Sequence, residues 1–79
     1  MNLLDAIRKV ARGEDLSHEA MGEVMRIIMS GDATPAQIGA VLTALHIKGE
    51  TVEELTGAAT VMREFAAQVN VKSEQVADS

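Results

Sequence analysis

The chain has no cysteine, no tryptophan and no tyrosine, and one phenylalanine and one proline among 79 residues. Without cysteine there is no disulfide framework and no thiolate metal site. With a single aromatic ring, the core must come from Leu, Ile, Val, Met and Ala, a set that suits helices better than sheets. No apolar run approaches the roughly 20 residues that cross a bilayer as a helix. The N-terminus lacks a basic segment followed by an apolar block, so no secretory signal is visible. An excess of positive charge is also missing: 12 acidic residues face 7 basic ones, for a net charge of −5. That balance argues against a nucleic acid or an anionic membrane as partner. A cytoplasmic location is the expectation. The six glycines stand singly, with no two inside five residues of each other, which excludes a glycine-rich phosphate loop.

What is present is a globular composition, 47% hydrophobic, on a chain long enough for one domain at most. A domain of this size buries only about 60% of the surface its unfolded chain exposes. The clearest element is Thr34–Gly49, a helix with both ends written out. Thr34 is an N-cap, Pro35 occupies the first helical position, and Gln37 can close a capping box. Lys48 suits the negative end of the helix dipole, and Gly49 can take the left-handed conformation that stops the helix. Ile38, Val41, Leu42 and Leu45 make one apolar stripe. Ala36, Gly39, Ala40, Thr43 and Ala44 make a second face of small residues, so this helix is expected at the middle of a bundle with partners on two sides.

The other helices follow from the same signals. Asn2 caps a first helix to about Arg12, with Leu3, Ile7 and Val10 as its stripe, flanked by Leu4 and Ala11, and Gly13 as its stop. Arg8, Lys9 and Arg12 near its end are read as dipole complements rather than a phosphate site. Ser17 caps a second helix ending at Gly31, Leu16 can staple to Met21, and Ala20, Met21, Val24, Met25 and Ile28 form the buried face. The row Met21, Met25, Met29 is read as core filling, with an adaptable binding groove as the alternative. Thr51–Glu54 is a second capping box. It opens a fourth helix whose seam is Leu55, Ala58, Met62, Phe65 and Val69, with Gly57, Ala58 and Ala59 allowing close approach. The expectation is an all-α bundle of four helices over 3–12, 18–30, 35–48 and 52–69, joined by short loops that favour antiparallel neighbours. Residues 1–69 form the helical domain and 70–79 a linker.

Little chemistry is visible. His18-Glu19 begins like the zinc-protease helix motif, but the fifth position is Gly22, not a second histidine. His46 has no ligand-type residue at helical spacing except Glu50. Glu53 and Glu54 at the start of the fourth helix, and Glu19 at the start of the second, repel anions that a helix N-terminus would otherwise attract. The carboxylates read as solvated helix faces. No catalytic, cofactor-binding or metal-ligating residue is assigned.

The run Ser30-Gly-Asp32, Thr34-Pro-Ala-Gln-Ile-Gly-Ala-Val-Leu-Thr-Ala-Leu-His-Ile-Lys-Gly-Glu-Thr-Val-Glu-Glu-Leu-Thr-Gly-Ala-Ala59 and Met62-Arg-Glu64 closely resembles the N-terminal helical domain of the anthranilate phosphoribosyltransferases, in the wider nucleoside phosphorylase and phosphoribosyltransferase fold family. Leu3-Leu-Asp5 and Gly13-Glu-Asp-Leu-Ser17 fit the same domain, so the resemblance covers roughly residues 2–69. Ile47-Lys-Gly-Glu-Thr-Val-Glu-Glu-Leu55 is its most specific part. The resemblance implies part of an enzyme of tryptophan biosynthesis that joins anthranilate to phosphoribosyl pyrophosphate with help from magnesium. It implies a homodimer formed through the helical domain, for which the first and third helices are the expected interface. It also implies a catalytic α/β domain elsewhere in the full-length chain, which holds the pyrophosphate loop and metal ligands, and later helices that complete the bundle. The 79 residues alone are then expected to be inactive. A pyrimidine nucleoside phosphorylase domain and a freestanding helical interaction module are the alternatives.

Overall fold

The computed structural model describes residues 1–68 and contains four helices: α1 (Leu3–Ala11), α2 (His18–Met29), α3 (Pro35–Lys48) and α4 (Val52–Gln68). The expected all-α bundle is observed, with helix ends within a residue of those read from the caps. The expected extension of α4 to Val69 and the linker 70–79 lie outside the described residues.

Each start has the local chemistry that the sequence announces. Asn2 Oδ1 accepts the Asp5 amide at 2.8 Å, and Ser17 Oγ accepts that of Ala20 at 3.0 Å. Thr34 and Gln37 satisfy each other's amides reciprocally, at 2.9 and 3.1 Å. Thr51 and Glu54 do the same at the start of α4. These bonds satisfy amides that have no partner inside the helix. Two ends close alike. Gly13 at φ +84° and Gly31 at φ +82° reverse the chain. The amides one residue later, of Glu14 and Asp32, then reach back to the carbonyls of Lys9 and Ile27. Paired return bonds of this kind mark a Schellman stop.

The helices associate as two pairs: α2 packs mainly on α4, and α1 mainly on α3, with a smaller contact between α1 and α2. The core is one cluster: Leu3, Ala6, Val10, Leu16, Met21, Val24, Met25, Val41, Leu45 and Val61. Each fully buried Leu or Val stabilises by about 1.5–3 kcal/mol. Leu16, Val24, Val41 and Val61 are essentially without solvent contact. The face expected of α2 is buried, with Ala20 and Ile28 at its margin. On α1 the stripe is rotated slightly: Ala6 is buried, Ile7 half-buried and Leu4 exposed.

Two expectations are corrected. First, α3 is not the hub. Val41 and Leu45 are buried, but Leu42 is 47% exposed. Of the small face, Ala36, Gly39, Ala40 and Thr43 face solvent, and only Ala44 is half-buried. α3 has α1 on one side, and among the described residues nothing covers the other. Second, the expected seam of α4 is not its buried face. Glu54, Gly57 and Val61 are buried, Ala58 and Phe65 lie at the margin, and Leu55 and Met62 are about half exposed.

The physical reason for the second correction is Gly57. Its Cα lies so close to the start of α2 that a Cβ there would overlap the His18 carbonyl oxygen, a backbone atom that cannot step aside. This close approach brings Gly57 against α2 and swings Leu55 and Met62 outward. It also explains the first correction, because the tight crossing uses the glycine of α4 rather than the small face of α3. Gly22, on the opposite side of the crossing, would bring an added Cβ only into ordinary contact with the Val61 methyl. Gly57→Ala is therefore expected to cost about 2 kcal/mol through overpacking. Gly22→Ala is expected to be neutral, or to stabilise by up to about 1 kcal/mol from helix propensity. Urea denaturation of the two variants checks the contrast, and equal effects would contradict it.

Candidate functional site

The most ordered chemistry in the chain lies where three connections meet. Glu54 is at the third position of α4, Lys48 is the last residue of α3, and Asp15 and Leu16 belong to the segment joining α1 to α2. The three-residue turn Gly49–Thr51 sends α4 back past the end of α3, so Lys48 and Glu54 meet. Glu54 is 1% exposed. Its Oε2 accepts the Leu16 amide at 2.6 Å. Its Oε1 accepts the Thr51 amide and the Lys48 ammonium, both at 2.9 Å. Lys48 Nζ uses three donors: to Glu54 Oε1, to Asp15 Oδ1 at 2.9 Å, and to the Gly49 carbonyl at 2.8 Å. Among the described residues no buried side-chain polar atom lacks a partner.

Charge and burial oppose each other at this point, and the bonds prevail. Burial alone would raise the Glu54 pKa. The amides of Leu16 and Thr51 and the Lys48 ammonium outweigh it and hold the carboxyl below its ordinary value. Burial alone would lower the Lys48 pKa, but the carboxylates of Asp15 and Glu54 outweigh it and hold the ammonium above its ordinary value. Both groups are charged at neutral pH, so the cluster is an ion pair and not a proton-transfer dyad.

The second feature is an apolar groove between the two helix pairs. Met21 and Met25 of α2, Leu42 and Leu45 of α3, and Leu55, Ala58 and Met62 of α4 line it, and Glu50 and Glu54 close one end. Half-exposed Leu42, Leu55 and Met62 thus share one depression. The methionine row divides: Met21 and Met25 are both core and groove lining, and Met29 is exposed. Neither of the two readings of that row describes all of it.

Reading the residues one at a time missed this cluster. Taken singly, Lys48 reads as a dipole partner and Glu54 as a solvated cap, but Glu54 is buried. The signal lay in their combination, because a capping-box Glu has a second oxygen to spare and a Lys ends the preceding helix three residues before the cap. His18 and His46 lie exposed, at the start of α2 and in the last turn of α3. Among the described residues no three His, Asp or Glu side chains converge as a metal would require. Asp15 and Glu54 do not fit a divalent cation, since the Lys48 ammonium already occupies the space between them. No described helix is long and apolar enough to cross a membrane.

Residues 4–66 match the family described as glycosyl transferase family, helical bundle domain. The chain belongs to this family. The match runs from the first turn of α1 to the last turns of α4 and takes in Asp15, Lys48 and Glu54. The helical bundle domain is similar over all 79 residues to proteins named anthranilate phosphoribosyltransferase. It is 52% identical to that of Cellvibrio japonicus (strain Ueda107) and 53% identical to that of Saccharophagus degradans (strain 2-40). Over 66 residues, 84% of the chain, it is 59% identical to that of Syntrophotalea carbinolica (strain DSM 2380). The chain spans 23% of the length of the first two relatives and 19% of the third.

The Lys48–Glu54 ion pair gives the domain a pH signature. Glu54, depressed in the folded state, contributes stability that is fully present above the unfolded value of about 4.3 and is lost as pH falls through its folded value. Lys48, raised in the folded state, contributes stability that is fully present below about 10.4 and is lost as pH rises through its folded value. Lys48→Met leaves Glu54 buried without its ammonium and is expected to cost about 3 kcal/mol at pH 7. It should also flatten the alkaline limb of a stability–pH profile, whereas an unchanged profile would show that the pair contributes nothing.

Proposed function

We propose that the chain is the helical domain of an anthranilate phosphoribosyltransferase, the enzyme that moves phosphoribosyl from phosphoribosyl pyrophosphate to anthranilate. The observation that carries this reading is the similarity over all 79 residues, at about half identity, to proteins of that name. Magnesium and both substrates belong, in this reading, to a catalytic α/β domain of the full-length chain. The present residues supply a cleft wall and a dimerisation surface, and the 79 residues alone do not turn over.

The exposed surfaces are consistent with that division of labour. α1 and α3 form one pair. Leu4 and Ile47 are exposed on it, together with the open small face of α3 at Ala36, Gly39, Ala40 and Thr43. Small residues allow two helices to approach closely, and a self-complementary face of this kind suits a two-fold homodimer. The groove of Leu42, Leu55 and Met62 faces elsewhere, where later helices of the same chain would complete the bundle.

Assays on the full-length reading frame test the activity. Product from anthranilate and phosphoribosyl pyrophosphate is expected, and none from pyrimidine nucleosides with phosphate. The opposite result would assign a pyrimidine nucleoside phosphorylase, and neither activity would favour a freestanding module. The dimer is tested separately. Ala40→Arg is expected to convert a sedimenting dimer to monomer with helix content unchanged by circular dichroism. A variant that sediments like the parent would remove α3 from the interface.

A further inference from the structure

The packing of the bundle leaves a mechanical question that the cluster at Lys48 answers. The α1·α3 and α2·α4 pairs are each well packed, but the apolar groove runs between them. Met21, Met25 and Leu45 share the buried cluster at this seam, and Leu42 lines its open side. Such contacts are non-directional, and methionine adapts to shifted neighbours. They favour association of the pairs without choosing one angle between them.

We infer that the Asp15–Lys48–Glu54 clamp sets the mutual orientation of the two helix pairs. Three features carry the inference. Glu54 begins α4, in one pair, and Lys48 ends α3, in the other, so their bond crosses the seam at its closed end. The segment between α1 and α2, which also passes from one pair to the other, is tied to the same two side chains. Asp15 Oδ1 accepts from Lys48, and the Leu16 amide donates to Glu54. Two of the three connections between the pairs, α1–α2 and α3–α4, are thus fastened at one point by directional bonds with no donor of the ammonium left over, and only the α2–α3 segment lies outside it. The other described ion pair between the two pairs joins the Met1 ammonium to Glu23 at 2.6 Å. It is half exposed on the Glu23 side and sits at a chain end, where solvent competes for both charges. Arg26–Glu64 lies within the α2·α4 pair and does not cross the seam.

Buried ionic groups that replace apolar contacts often add little net stability, and their best-attested use is to select one arrangement among several. The clamp therefore acts on orientation, and removing both charges together changes geometry more than helix content. The absence of cysteine in the chain makes the test direct. Spin labels at Arg8→Cys on α1 and Arg63→Cys on α4 report the distance between pairs; labels at Arg8→Cys and His46→Cys report the distance within one pair. All three positions are exposed. Labelled chains are diluted with unlabelled chains so that only intramolecular distances are read. In the Lys48→Met/Glu54→Gln variant, the between-pair distribution is expected to lose its single narrow peak while the within-pair distribution keeps its width. Two unchanged distributions would overturn the inference, and so would equal broadening of both, which would make the clamp a general prop of the fold. If circular dichroism shows that the double variant has lost its helices, Asp15→Ala is read with the same labels. That variant frees only the loop's hold on Lys48, and a partial broadening confined to the between-pair distance is then expected. No broadening would count against the clamp.

Discussion

The bond between the Lys48 ammonium and the Glu54 carboxylate is the constraint on which the rest of this small bundle depends. An aliphatic core of ten residues, without a buried aromatic ring, supplies adhesion but few directional contacts. The ion pair supplies direction. It joins the end of α3 to the start of α4, and through Asp15 and Leu16 it gathers the α1–α2 connection to the same point. An unpaired charge in such a place would be costly, and the arrangement persists because every donor and acceptor in it is matched.

Glu54 serves two purposes with one side chain. One oxygen closes a helix cap that any Glu at this position could close. The same oxygen takes the lysine, and the other takes an amide from a segment 38 residues earlier in the chain. A local capping device has become a tertiary one. Gly57, one turn further along α4, adds the steric half of the arrangement. Its missing side chain lets α4 lie against the first carbonyl of α2. Together the carboxylate and the glycine decide which face of α4 turns inward.

What was legible in the sequence, and what was not, follows from this. The caps at Asn2, Ser17, Thr34 and Thr51 and the stops at Gly13, Gly31 and Gly49 are chemistry within a few residues, and the helix ends were readable to within a residue. The face of α2, and that of α1 to within a slight rotation toward Ala6, were readable from spacing because these helices carry a single apolar stripe. α3 and α4 carry apolar or small residues on more than one side, so periodicity alone could not choose between faces. The bulky seam of Leu55 and Met62 was the natural choice on α4, but Glu54 had partners waiting and Gly57 could approach where a larger residue could not. The family was legible in the Lys48–Glu54 stretch before the reason for that stretch was visible, since the ion pair forms only when two helix ends and a distant loop come together.

The account is tested most directly by following the Glu54 side-chain carboxyl carbon by NMR through an acid titration. A midpoint below the ordinary glutamate value is predicted, with the Leu16 amide resonance shifting at the same pH as its acceptor loses charge. A Glu54 midpoint at the ordinary value, with the Leu16 amide indifferent to it, would contradict the central place given to this ion pair.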